Sequence, residues 1–375
     1  MDLGLSEEQE LLKNSARDFL EKECPESLVR EMEDDEKGYS PGLWKKMAEQ
    51  GWQGLLIPET YGGAGFGYLD LVVLIEEFGR AVVPGPFIST AVGGVLPLIE
   101  GGSDDQKAKY LPQIASGNAI WTLAFTEPSA RFDADGVALE VKADGGDVVL
   151  NGTKLFIRDA NVADFFTVVG RKPGTKGADG IELVIVDAKT AGISQTQLKT
   201  IAADKQAEVK FENVRVPKAN IIAGGWKTFQ KIQRKATVIE CAYLVGLAQM
   251  DFEISVQYAK DRIQFGRPIG SFQAIQHKAA DMVTDVDGSR FIMYRAAWAV
   301  DQDEADADMY VHMAKAWTSE ATRRVVAHGQ QIHGGIGFTK DYKIQLYFRR
   351  QKAAELAWGD ADYHRELVAG ELKLA

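Results

Sequence analysis

The hydrophobic pattern of this chain changes period twice, and that limits what it can fold into. Residues 1 to about 120 carry apolar residues at helical spacing. From Trp121 to about residue 222 the period drops to two. There "GVALEVKADGGDVVLNGTKLFI" alternates apolar with polar, is rich in Val, and contains "DGG" and "NG", the residues of tight hairpin turns. "ADFFTVVGR", "GIELVIVD" and "AEVKFENVRVP" continue the alternation. From "GWKTFQKIQRKATVIECAYLVGLAQMDFEISVQYAKDR" onward the helical period returns. Three or four stretches of more than 20 residues suit a bundle. The expected fold class is multidomain α+β: a helical domain at 1–120, an all-β domain at 121–222 and a helical bundle at 223–375. No internal repeat or low-complexity tract interrupts it.

Local signals refine the first block. Ser6 and Gln9 are spaced for a capping box. "PGLWKKMAEQG" puts Pro41 at a helix start and Gly51 at its end. "LDLVVLIEEFGRA" predicts a helix stopped near Gly79, and "DDQKAKYLPQIASGN" a helix capped by Asp104 or Asp105. "IPETYGGAGFGY" reads as a glycine-rich loop. The length, 375 residues, points to two or three domains.

The formal net charge of -11 argues against non-specific nucleic-acid binding, while leaving room for a local basic cluster that holds a phosphate. No apolar run approaches the roughly 18 residues of a membrane span. The acidic, amphipathic N-terminus "MDLGLSEEQELLKNSARDFL" is not a signal peptide. Two cysteines, Cys24 and Cys241, give no disulfide framework, and a reducing cytoplasm is the expected compartment. No histidine spacing suggests a metal; His328 and His333 straddle Gly329 and Gly334.

"QIHGGIGFTKDY" (331–342) places Gly334, Gly335 and Gly337 between two helical stretches. Glycine inside a helix costs about 1 kcal/mol against alanine, so the three require a reason. With "AFTEPSARFD" (124–133), "NGTKLFIRDANVADFFTVVGR" (151–171) and "DRIQFGRPIGSFQAIQHKAADM" (261–282), this segment resembles the acyl-CoA dehydrogenase family, in the family's order and over essentially the whole chain. The resemblance implies a central β-barrel between helical domains, a C-terminal four-helix bundle, bound FAD, an acyl-CoA substrate and a tetramer. It implies an electron-transfer flavoprotein as electron acceptor. Residues 151–171 are similar to the family's central hairpin. The glycines would let backbone approach a neighbouring subunit's FAD.

The reaction that the resemblance implies is α,β-desaturation of a thioester. A carboxylate takes the α-proton, flavin N5 accepts hydride, and hydrogen-bond donors polarise the carbonyl. Phe125, Thr126 and Glu127 fall in the loop that resembles the flavin-facing one, where Phe125 and Thr126 would touch the ring. Phe156, Ile157 and Arg158 occupy the family's Trp-Ile-Ser/Thr slot. Phe156 can cover a flavin face, but Arg158 cannot copy the short hydroxyl. Arg262, Gln273, Gln331, Gly334 and Gly335 match residues that clasp the nucleotide part of a neighbour's FAD; an arginine fork suits pyrophosphate. No G-x-G-x-x-G fingerprint follows a strand.

The base is where the match breaks. Trp358 stands where many relatives carry glutamate, and Asp360 two residues along would face the cofactor or serve as a substitute base. Other relatives place the glutamate at the counterpart of Ala236. Glu240 lies one turn further along, in the apolar run "ATVIECAYLVG", and is the leading base. It is alternatively an ion-pair partner of a residue such as Arg234. Arg131 and Phe132 replace small residues where substrate passes, in a pattern similar to the branch with pimeloyl-CoA dehydrogenase small subunits and steroid side-chain dehydrogenases. Arg131 there would hold a CoA phosphate or a second carboxylate, or make a surface salt bridge. A dicarboxylic, cyclic or bulky acyl-CoA is the expected substrate, and a homotetramer or a heterotetramer with a related subunit the expected assembly. Two alternatives stand beside this: a non-catalytic partner subunit, and a flavoenzyme of this fold with another reaction.

Overall fold

The computed structural model describes residues 4–374. Its contacts divide the chain into two compact units. One holds the N-terminal segment through Val29, Tyr68–Val83 and Ala236 onward; the other holds Arg30–Gly67 and Pro84–Lys235.

The second unit is built on one mixed sheet. Among the described residues its strands are β1 (Trp121–Ala124), β2 (Glu140–Asp144), β3 (Asp147–Arg158), β4 (Phe165–Arg171), β5 (Ile181–Asp187), β6 (Ile193–Leu198), β7 (Gln206–Pro217) and β8 (Ile221–Ile222). The order is β6-β7-β3-β2-β4-β5-β8, with β1 added on β4. The inward positions of the alternating runs form the core, among them Val141, Leu150, Phe166, Val168, Val184, Val209 and Phe211.

"DGG" makes the expected turn: Asp144 pairs with Asp147 across Gly145, whose φ is 61°. "NG" does not. Asn151 and Gly152 lie inside β3, where pairing with β7 slips between Leu150 and Gly152. The Asn151 side chain accepts the Asn213 N–H at 2.8 Å, so the apolar run continues past the bulge. Nor is 151–171 a hairpin, because β2 intervenes between β3 and β4.

In the helical regions the Ser6–Gln9 capping box forms, and Ser40 caps the helix that begins at Pro41. The cap of Asp104–Ala115 is Ser103, not Asp104 or Asp105. Its Oγ accepts the Gln106 N–H at 3.2 Å, and Gln106 Oε1 accepts the Ser103 N–H at 3.0 Å. The two aspartates sit in the first turn, where the helix dipole favours them.

Helix Tyr68–Ala81 runs through Gly79. It ends at Ala81, near the expected stop, and Gly79 also marks a helix crossing: a Cβ there would lie 2.2 Å from the Tyr243 carbonyl oxygen. Glu76 and Glu77 on this helix are buried. Arg17 grips Glu77 with bonds of 3.0 and 2.8 Å; Arg290 and the Tyr294 hydroxyl reach Glu76 at 3.1 and 2.8 Å. Burial alone would raise the Glu76 pKa, but Arg290 and Lys13 outweigh it and hold the carboxyl below its ordinary range.

The long helices are Gly225–Asp261, Gln273–Asp301 and Ala307–His333, of 37, 29 and 27 residues. The shorter Ile344–Leu356 and Ala361–Glu371 follow.

Candidate active site

Within the sheet unit, the loop after β1 and the end of β3 are bound into one piece. Lys154, on β3, is fully buried. Its ammonium donates to Glu127 Oε1 at 2.6 Å and to the Phe125 carbonyl at 2.9 Å. Glu127 also accepts the backbone N–H groups of Ala138 and Leu139 at 2.9 and 3.0 Å. The Leu155 N–H bonds the Thr126 carbonyl at 2.8 Å. Burial pushes the Lys154 pKa down to about 8, against the upward pull of Glu127.

Two residues past Lys154 the chain becomes strained. Phe156 has φ 55°, and its side chain is 56% exposed between buried Lys154 and buried Ile157. The pairing with β7 slips here too. A bulky residue at positive φ costs about 1–3 kcal/mol and marks a place where geometry matters more than local stability. The bulge turns one aromatic ring out of an inward-facing strand. Phe125 is buried against Phe229 at 4.4 Å, so its ring supports the loop from behind. Thr126 is half-buried. Arg158 is half-buried, and its carbonyl accepts the Thr122 hydroxyl at 2.7 Å. Arg131 is exposed and grips Asp133 with two bonds, while the Phe132 carbonyl accepts from Gln233 at 3.0 Å.

Within the other unit, Arg262 follows the end of the 37-residue helix and is exposed, with no side-chain partner among the described residues. Gln273 opens the next long helix, also exposed. Gln331 is exposed near the end of Ala307–His333. Gly334 follows it at φ 63°, and a Cβ on Gly334 or Gly335 would meet nothing within 4 Å. Gly337 is different: a Cβ there would lie 2.8 Å from Gln330 Oε1, so this glycine serves internal packing. Phe265 and Phe338 stand out from the same segments, 91% and 80% exposed.

The residues considered for the base lie in this unit as well. Glu240 is buried, 1% exposed. Asp360 is exposed and caps Ala361–Glu371 by accepting the Tyr363 N–H at 2.9 Å. Trp358 has φ 62° and opens that turn. Two donors hold the turn's carbonyls. Lys315, fully buried, donates to the Gly359 and Glu355 carbonyls at 2.8 and 2.7 Å. His364 Nε2–H donates to the Trp358 carbonyl at 3.0 Å, which leaves its Nδ1 to accept from His312 Nδ1–H, also at 3.0 Å. Burial pushes His364 down to about 3, helped by Lys315 and His312. Burial also lowers the Lys315 pKa, with Cys241 and Glu240 pulling the other way.

Sequence reasoning missed Lys154, Lys315 and His364. Lys315 carried a signal: with Val311, Thr318 and Thr322 it lies on one buried helical face.

The sheet unit presents a strained, exposed aromatic, and the helical unit presents a glycine segment with open backbone. Comparison with known proteins identifies the family. Models of the N-terminal, middle and C-terminal domains of acyl-CoA dehydrogenases match residues 6–118, 122–214 and 223–373. The 3-(aryl)acrylate reductase of Clostridium sporogenes (strain ATCC 15579) is 35% identical, covering 98% of this chain and 99% of its own. The probable acyl-CoA dehydrogenase YngJ of Bacillus subtilis (strain 168) is 34% identical, covering 99% and 100%. In the ChsE4–ChsE5 complex from Mycobacterium tuberculosis, one chain superposes with a TM-score of 0.92 at 27% identity, covering all of both chains. The chain therefore belongs to the acyl-CoA dehydrogenase family, oxidoreductases that act on CH–CH bonds. Among the described residues no helix is long and apolar enough to cross a membrane.

Proposed function

We propose that this chain oxidises an acyl-CoA thioester between its α and β carbons, with FAD as cofactor and Glu240 as base. The observation that carries the reading is Phe156, held at φ 55° with its ring exposed beside the braced Phe125–Glu127 loop. A flat ring system laid on that aromatic would meet the Thr126 backbone and hydroxyl at its edge. Bound FAD supplies the acceptor for the β-hydride.

Arg262, with Gln273, Gln331, Gly334 and Gly335, suits the anionic nucleotide tail. The guanidinium is exposed without a side-chain partner among the described residues, and the glycines leave backbone open. Glu240 takes the α-proton. Its burial keeps water from competing for it. Asp360 is the weaker candidate because its carboxylate is engaged as a helix cap. Arg131 and Phe132 border the substrate path. A cyclic, bulky or dicarboxylic acyl group is the proposed substrate class, in keeping with a relative whose name specifies an aryl acrylate. An electron-transfer flavoprotein takes the electrons. The assembly is a tetramer, homomeric or with a related subunit.

The decisive measurement is the visible spectrum of the purified chain before and after acyl-CoAs are added. The wild type is expected yellow and to bleach with its substrate. Glu240→Gln should keep the colour and bleach at least about 100-fold more slowly, whereas Asp360→Asn should bleach normally. Normal bleaching by Glu240→Gln would remove Glu240 from the mechanism. Trp358 in the place of the family's glutamate favours one second reading, a half-site subunit. That chain would be colourless until co-expressed with a competent relative.

A further inference from the structure

The flavin wall is made of two pieces of chain distant in sequence, the loop Phe125–Glu127 and the strained end of β3. Resting on the flavin reading above, we propose that the buried Lys154–Glu127 pair is a positioning device that sets the distance between those pieces and thereby the seat of the isoalloxazine ring. Both side chains are buried, so neither is presented to a bound ring. Lys154 is two residues from Phe156 and bonds both Phe125 and Glu127, at 2.9 and 2.6 Å. Glu127 ties the loop onward to Ala138 and Leu139. Thr126, the residue between the two anchored ones, is fixed from both sides.

Stability does not explain the pair. Taking both charges out of water offsets most of their attraction, and apolar residues of similar volume often serve a fold as well. What an apolar pair lacks is direction. An ammonium with two acceptors at set angles, and a carboxylate with three donors, fix backbone atoms that no methyl group could hold. The strain at Phe156 persists only where its surroundings enforce it, and Lys154 is a buried anchor two residues away.

The test uses the full-length chain. Wild type, Glu127→Gln/Lys154→Met and Lys154→Arg are compared in three measurements: thermal midpoint without FAD, FAD affinity by fluorescence, and visible circular dichroism of bound FAD. The double variant removes both charges together, so neither is left buried alone. Its FAD-free midpoint should stay within a few degrees of wild type, its FAD Kd should rise at least about tenfold, and its flavin dichroism should change sign or intensity. Lys154→Arg should restore part of the affinity. A double variant holding FAD within twofold of wild type, with unchanged dichroism, overturns the proposal. So does a loss of affinity that only follows collapse of the FAD-free fold in both variants. A wild-type chain that binds no FAD sinks the flavin reading itself, a result told apart because it needs no variant.

Discussion

Asp251 is a residue that no motif identified. It sits in the long helix within "QMDFEIS", and neither carboxylate oxygen has a hydrogen-bond partner among the described residues. Burial raises its pKa well above an aspartate's ordinary value, with the nearby Ser255 hydroxyl, not within hydrogen-bonding geometry, pulling the other way. The sign follows directly. A folded-state pKa above the unfolded value means that the native state holds the proton longer. The associated stability is present below about pH 4 and is lost as pH rises through the folded value. Asp251→Asn should therefore stabilise the protein at pH 8, and the gain over wild type should shrink towards pH 4. The rate is about 1.4 kcal/mol for each pH unit between the two pKa values. Paired thermal melts across that range check it; a constant difference would show that Asp251 stays ionised. The sequence concealed this group because an isolated aspartate in a long helical pattern looks like a solvated position. Only the neighbouring helix reveals otherwise: a Cβ on Gly329 would lie 2.0 Å from Asp251 Oδ1. Lys154 was hidden for the same reason, since a lysine in an alternating strand reads as the outward face.

At the scale of elements, the periodicity was informative and the punctuation less so. The alternation found the strands, and the helical period found three long helices, because both patterns record which face meets the core. Glycine and asparagine were ambiguous. "NG" reads as a turn when only local chemistry is weighed, yet pairing with β7 on both sides kept Asn151 and Gly152 in the strand. Gly79 reads as a stop, and the helix does end close by at Ala81, but the glycine is also where it crosses the 37-residue helix at Gly246. A Cβ on Gly246 would lie 1.9 Å from the Glu76 carbonyl oxygen and 2.8 Å from the Arg80 nitrogen, both of them backbone. Backbone cannot rotate away as a side chain can. Gly246→Ala should cost at least about 1–3 kcal/mol despite alanine's better helix propensity. Denaturant unfolding measures it, and a neutral or stabilising result would mean that the crossing is looser than described. The residues proposed to face the cofactor came from motifs, whereas the buried groups that brace their backbone carried no motif. Motifs record what touches the ligand, and Lys154, Lys315 and His364 act through backbone carbonyls that any residue can present.

For the whole molecule, the change of period from helical to alternating and back was enough to set out the order of its parts. Their grouping by contact was not legible, because helix Tyr68–Ala81 and the first helix join the bundle, far away in sequence. The clasp proposed for Arg262, Gln331 and the glycines makes one prediction at this scale. Since these residues are proposed to hold a neighbour's FAD, cofactor retention should depend on protein concentration. Diluting the holoprotein should release fluorescent FAD over the same range in which sedimentation shows the oligomer dissociating. Retention by a demonstrably monomeric species would assign the clasp to its own subunit.

The rings of Phe265 and Phe338 bear on how a cell handles this protein. A newly made protomer, before it meets another, carries two benzyl groups in water, 91% and 80% uncovered. Exposed rings of this kind favour association with a second surface. Protomers made in excess of whatever covers these rings should be cleared faster than assembled ones, which pulse-chase at low and high expression measures.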